Sequence, residues 1–240
     1  TRALEFAQKL VRMRHQLKPA LSSVKDVIQL AENRADESPI LLVDSADSTN
    51  AGACGDSAYV LQVIRECRSA IKAGMALCCK PAVEKAFQIG VGNTGRFLIG
   101  ASLDKVHTQP VETDAYVQSL HDGIYLQEGP AKKGLKNNLG RTAVLKVGNT
   151  DVIVTSDFLL GPGDLQLYRH FGIEPLLYQL IVVKACTSFK AGYRTVSQHI
   201  VYADTPGAAT ADLCRLDFKK LPKKFYPFEE ISEDMIEVVY

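Results

Sequence analysis

The sequence predicts an α/β fold, a mixed sheet with flanking helices and an antiparallel β insertion. Three observations carry this expectation. Short apolar runs such as "PILLVD" (39–44), "MALCC" (75–79) and "LYQLIVVKA" (177–185) read as strands buried on both faces. Between them lie segments with apolar residues at helical spacing, the alternation required by a parallel sheet covered with helices. From about residue 108 to 156 the pattern changes to period two with Gly and Asn punctuation, which points to antiparallel strands.

Each element has its own grounds. Leu4, Ala7, Leu10, Val11 and Leu17 recur at helical spacing over residues 2–17, ahead of Pro19. Val24, Val27, Ile28 and Ala31 form one face of a second helix, with Ser23 placed to cap it. "PILLVD" is the first buried strand. After a long loop, "SAYVLQVIRECRSAIKAG" (57–74) has helical periodicity, with Gly74 as its expected stop. "MALCC" is a strand, "KPAVEKAFQIG" (80–90) a helix with Pro81 in its first turn, and "GRFLIGAS" (95–102) a third strand of the parallel series. "VETDAYVQSL", "GIYLQ", "RTAVLKVG" and "TDVIVTS" are the antiparallel strands, projecting from the core sheet. The last two form a hairpin in which Gly148 and Asn149 supply positive φ. "EGPAKKGLKNNLG" (128–140) reads as a solvated hairpin tip. A short helix "PGDLQLYRHFG" (162–172), the strand "LYQLIVVKA", a helix or turn "TSFKAGYRTVS" (187–197) and the strand "HIVYAD" (199–204) follow. The tail "KKLPKKFYPFEEISEDMIEVVY" is expected to pack along the surface. No repeat or linker divides the chain, so residues 1–240 read as one domain.

Composition excludes several classes. Hydrophobic content of 46% and charged content of 23% suit a globular protein. A formal net charge of +1 offers no bulk attraction to nucleic acid or anionic membrane, and no apolar run reaches the ~18 residues of a membrane span. The short lysine patches "KKLPKKF" and "AKKGLKNN" lack interleaved stacking aromatics, so a nucleic-acid partner is not expected. Six cysteines at irregular spacing imply reduced thiols and a cytoplasmic location.

Few residues in this sequence suggest chemistry. The five histidines are scattered, and neither His-x-x-x-His nor Cys-x-x-Cys occurs, so no metal is expected on this chain alone. There is no Gly-x-Ser-x-Gly elbow, and Cys54 has no identifiable base. "GVGNTGR" precedes a strand instead of opening a helix, which disqualifies it as a dinucleotide fingerprint. The loop "DSADSTNAGACGDS" (44–57) is the best candidate. It follows a presumed parallel strand and leads into a helix, where open α/β sheets bind ligands. Asp44 and Asp47 can orient a basic group or a cation. The plainer reading has Asp47 and Asn50 forming turns, with Asp56 or Ser57 capping the helix.

The order of these motifs resembles the carboxyl-terminal region of the microcystinase C-like (MlrC) metallopeptidases. That family carries D-x-x-D-N-P-G-G-G-x-x-G-D-S after a strand, and Asp44, Asp47, Gly52, Gly55, Asp56 and Ser57 stand at matching positions. "GVG" (90–92), "LHDGIY" (120–125), "FGIEP" (171–175), "IVVKA" (181–185), "DTPG" (204–207) and "YPFEE" follow in the family's order. The sequence departs from the family at Ser48-Thr49-Asn50-Ala51, which replaces Asn-Pro-Gly-Gly, and at Ser188, where the family often has His. The resemblance implies a carboxyl-terminal substrate-cleft domain of a zinc-dependent peptidase or amidohydrolase, inactive alone. Its zinc would be held mostly by an amino-terminal metal-binding domain that precedes Thr1. The implied substrate is a small peptide or amide. Asp47 is then the catalytic candidate, as an extra metal ligand or the partner of one. Asp44, Asn50 and Lys184 are the candidates for substrate contact. An alternative is a non-catalytic binding or regulatory domain that recognises a small anionic ligand. Self-association into a homo-oligomer is left open.

Overall fold

A computed structural model describes residues 2–34, 38–221 and 226–237. Where the sequence reads as one domain, the chain divides into two compact units: residues 21–209, and residues 1–20 with 210–240.

The smaller unit contains helix α1 (Arg2–Met13), which ends four residues before the expected Leu17. Within this unit Arg12 pairs with Glu233 at 2.7 Å and Arg14 with Glu230 at 2.9 Å. Residues 222–225 of the lysine patch, and 238–240 of the tail expected to lie along the surface, fall outside the described residues.

The larger unit is built on a nine-stranded sheet. Its strands are β1 (Ser22–Ser23), β2 (Ile40–Val43), β3 (Ala73–Cys78), β4 (Thr94–Ile99) and β5 (Val111–His121). A separate pair, β6 (Ile124–Leu126) and β7 (Lys136–Asn138), lies outside that sheet, and β8 (Thr142–Val147), β9 (Thr150–Thr155), β10 (Leu180–Val183) and β11 (Ile200–Asp204) rejoin it. The order is β1-β11-β2-β10-β3-β9-β8-β5-β4. Every pairing from β1 to β9 along that order is parallel, and β9-β8-β5-β4 is antiparallel. The antiparallel strands therefore extend the sheet instead of projecting from it; only β6-β7 stands apart.

Helices α2 (Val24–Glu32), α3 (Tyr59–Glu66) and α4 (Lys80–Ile89) cover one face and bury Val27, Ile28, Leu61, Ile64, Val83 and Ala86 against it. Short helices α5 (Gln166–Arg169) and α6 (Lys190–Tyr193), with Tyr168, Phe171, Phe189 and Tyr193, close the other face. Ser23 caps α2 as expected, its Oγ accepting the Asp26 N–H at 3.1 Å.

Three expectations are corrected here. Helix α3 stops at Glu66, not Gly74: Arg68 turns the chain at φ 52°, and Gly74 lies inside β3. A Cβ there would lie 2.8 Å from Ile181 Cδ1 on the neighbouring strand, so this glycine serves close strand packing. "GRFLIG" does form β4, but at the far antiparallel edge. Its alternating exposure, with Arg96 and Leu98 outward and Phe97 and Ile99 inward, is that of a strand covered on one face. At the β8-β9 turn Gly148 takes φ 58°, while Asn149 does not join it at positive φ.

Candidate functional site

Strands β2 and β10 run parallel in register, with Val43 opposite Val183, so the residues after each strand emerge side by side. Those residues are Asp44 and Lys184, both buried. The Lys184 ammonium donates to Asp44 Oδ2 at 2.7 Å, Asp47 Oδ2 at 2.8 Å and the Ser57 carbonyl at 3.0 Å. All three of its protons are thereby used. Thr205, just past β11, donates to Asp44 Oδ1 at 2.6 Å. Asp47 also accepts the Gly55 N–H at 2.9 Å and the Ser57 N–H at 2.8 Å. Three adjacent strand ends thus tie both ends of the 44–57 loop to one buried cation.

The electrostatics follow from burial. Desolvation disfavours the Lys184 ammonium, but Asp44 and Asp47 outweigh it and hold the group above the ordinary lysine range. Desolvation raises the proton affinity of Asp47; Lys184 opposes that and Asp44 adds to it. Lys184 remains charged through the neutral range.

Asp47, expected to face solvent or a partner domain, is only 2% exposed. The exposure expectation is overturned because its carboxylate is drawn inward by Lys184 and two backbone N–H groups. Lys184 likewise has no proton left for a substrate carboxylate. Asp56 caps no helix; its Oδ2 accepts the N–H groups of Leu103 at 2.6 Å and Asp104 at 3.1 Å. The Ser57 Oγ accepts the Tyr59 N–H at 3.3 Å.

Asn50 behaves differently. It lies in a 3-10 turn, Thr49–Ala51, and is exposed. Its neighbour Thr49 donates to the Leu159 carbonyl at 2.8 Å, which fixes this turn against the segment after β9. Asn50 lines a cavity of about 470 Å³ that also takes in Gln127, Lys132, Gly161, Asp164 and Thr187. That volume is ordinary for a small-molecule site. Apart from Asn50, none of these lining residues was singled out from the sequence. The glycines of "EGPAKKG" and "LLGPGD" were the available signal. The segment 128–140, expected to be a solvated tip, supplies one wall, because Asp164 Oδ2 accepts the Gly129 N–H at 2.8 Å and holds it there.

The profile of the MlrC C-terminus family matches residues 42–220. The chain belongs to that family. Microcystinase C of Sphingomonas sp. is 23% identical over 196 residues, covering 80% of this chain and 36% of that protein. A solved structure from Mesorhizobium sp. BNC1, of a protein proposed to be a metallopeptidase, superposes with a TM-score of 0.84 at 24% identity. That match covers 93% of this chain and 44% of the other. This MlrC-family chain therefore spans well under half the length of either relative, and the structural match establishes a common fold.

A zinc centre needs three or four converging nitrogen, sulfur or carboxylate ligands. Among the described residues no three His, Cys, Asp or Glu side chains are so placed. Asp44 and Asp47 are already committed to an ammonium. The described residues do not fit a zinc site by themselves. All six cysteines are free, and no helix among the described residues is long and apolar enough to cross a membrane.

Proposed function

We propose that this chain is the substrate-cleft part of an MlrC-like zinc-dependent peptidase or amidohydrolase. The metal is held by an amino-terminal domain of the same protein, and a small peptide or amide enters between the two. The observation that carries this reading is the cavity beside the 44–57 loop, beyond the carboxyl ends of β2 and β10, where open α/β sheets bind ligands. Family membership and the relatives' greater length support it.

In this reading Asn50 touches the substrate. Asp44, Asp47 and Lys184 are positioning residues that hold the turn bearing Asn50 in place. Metal chemistry belongs to the other domain, and this chain's share is binding and orientation.

The test uses the full-length protein and a peptide or amide substrate. Asn50→Ala is expected to lower kcat/KM at least tenfold, about 1.4 kcal/mol of transition-state stabilisation, at unchanged zinc content. Unchanged kcat/KM in both Asn50→Ala and Gln127→Ala would remove the cavity from the reaction. Ligand binding without turnover in the zinc-loaded protein would put the non-catalytic binding domain in its place.

A further inference from the structure

Gln127 is the polar side chain of the cavity wall that the fold does not use. Its main chain is fully engaged: the N–H donates to the Leu135 carbonyl at 3.0 Å, and the carbonyl accepts the Gly134 N–H at 2.8 Å. The side chain is not. The residue lines the cavity and is only 6% exposed, yet neither atom of its amide has a hydrogen-bond partner among the described residues. Buried polar groups are nearly always paired, so an amide left free at a cavity wall marks a place for a polar group of a ligand. Gly161 stands beside it in the lining, and a Cβ there would fall 2.6 Å from Gln127 Nε2. Glycine at that position keeps the amide edge uncovered.

The rest of the lining restricts what that group can be. Lys132 and Asp164 are its ionised side chains among the described residues, and they are opposite in sign. The cavity therefore has no net charge with which to favour an ion. The Gln127 amide presents a donor and an acceptor on one edge. A trans peptide bond points its N–H and its C=O in opposite directions, so it can answer only one of the two. A primary carboxamide carries both on one edge and answers both in a cyclic pair. A ligand that leaves half of a buried amide unanswered binds more weakly, because the polar atom of the site then stays unpaired.

We propose that Gln127 is a specificity residue that pairs edge to edge with a primary carboxamide of the ligand. The proposal rests on the cleft reading above and gives it a substrate class, peptide-like amides that bear a primary carboxamide. That group is either an amidated chain terminus or an Asn or Gln side chain, since Gln127 meets the same edge in both.

The chain is titrated by NMR with N-acetylalaninamide, with N-acetylglutamine N-methylamide, and with N-acetylalanine N-methylamide, which has no primary carboxamide. At least one of the first two is expected to bind about fivefold or more tighter than the third, with shifts in the side-chain amide resonances of Gln127. Whichever of the two binds tighter identifies the source of the carboxamide. Gln127→Met keeps the length of the side chain without the amide and should erase the preference. Gln127→Glu exchanges the donor for a second acceptor and should erase it as well. Gln118→Met, exposed on β5 and outside the cavity lining, should leave it intact. Equal binding of all three ligands, or a preference that survives either Gln127 variant, overturns the pairing and leaves the cleft reading standing. No binding by any of the three overturns both.

Discussion

Lys184 is 3% exposed and faces two carboxylates that are no more exposed than itself. Removing one partner of such a buried set leaves uncompensated charge in a medium that solvates it poorly, at a cost of about 3–5 kcal/mol. Lys184→Met should therefore lower urea stability by about that amount, because Asp44 and Asp47 would then face each other without a cation. Lys184→Met combined with Asp47→Asn should cost less than the sum of the two single changes, since the second relieves charge that the first exposed. Arg96, whose pairs with Glu112 and Asp114 are at the surface, is the contrast: Arg96→Ala should leave the urea midpoint within error. Additive effects in the double variant would mean that the three groups are not coupled. Part of this cluster was legible in the sequence. "LLVD" and "LIVVK" are buried strands ending in opposite charges, and that is the signature of a cross-strand pair. The missing fact was that β2 and β10 are neighbours, which is a matter of tertiary register and not of either segment. Asn50 is exposed at the cavity wall while Asp47 of the same loop is buried, because Lys184 supplies Asp47 with a partner that no local pattern reveals.

At the scale of elements, Asp56 joins the start of α3 to the connection between β4 and β5. Its Oδ2 accepts the N–H groups of Leu103 and Asp104, residues far away in the chain. Asp104 in turn accepts the N–H groups of Val106 and His107, so one carboxylate anchors a loop that a second one shapes. Asp56→Ala should leave two backbone donors without their acceptor, costing about 1–3 kcal/mol. Amide hydrogen exchange at Leu103 and Asp104 should quicken by at least tenfold, while amides in β10 change only as global stability does. Exchange that quickens equally everywhere would mean the anchor is global instead of local. Sequence reading offered Asp56 or Ser57 as the helix cap because caps are local, whereas the partners of Asp56 lie on another element. The same limit explains β4. Continuous apolar runs identified β2, β3 and β10, and "GRFLIG" was grouped with them because Phe97, Leu98 and Ile99 are also a continuous apolar run; its half-covered character shows only in the fold, where Leu98 is exposed and Phe97 and Ile99 are buried. The alternating burial of β5, with Val111, Thr113, Ala115 and Val117 inward, was read from the sequence and holds.

At the scale of the whole molecule, the groups buried around the sheet share one direction of proton linkage. Burial raises the pKa of the Tyr125, Tyr168, Tyr178 and Tyr193 phenols, and pushes the Cys78 thiol up to about 12. Lys184 is also held above its ordinary value, desolvation being outweighed by Asp44 and Asp47. In each case the folded form keeps a proton that the unfolded chain releases between about pH 8.5 and 10.5. Above that window the unfolded state binds fewer protons than the native state, so unfolding free energy must fall as pH rises. One pH unit above an unfolded tyrosine pKa of about 10, each buried phenol forfeits about 1.4 kcal/mol, and the four together about 6 kcal/mol. Asp47, whose proton affinity is raised by desolvation, gains its proton more readily in the fold and so does not add to acid unfolding. Urea stability should therefore be level from about pH 7 to 8 and lose at least about 6 kcal/mol by pH ~11, Cys78 and Lys184 adding to the phenols. Phenolate absorbance provides the check. The four buried tyrosines should ionise only as far-ultraviolet circular dichroism is lost, in a step separate from the exposed tyrosines titrating near pH ~10. If all the phenols ionised together near that pH with the dichroism intact, burial would not be holding their protons, and the alkaline limit would have to come from elsewhere in the fold.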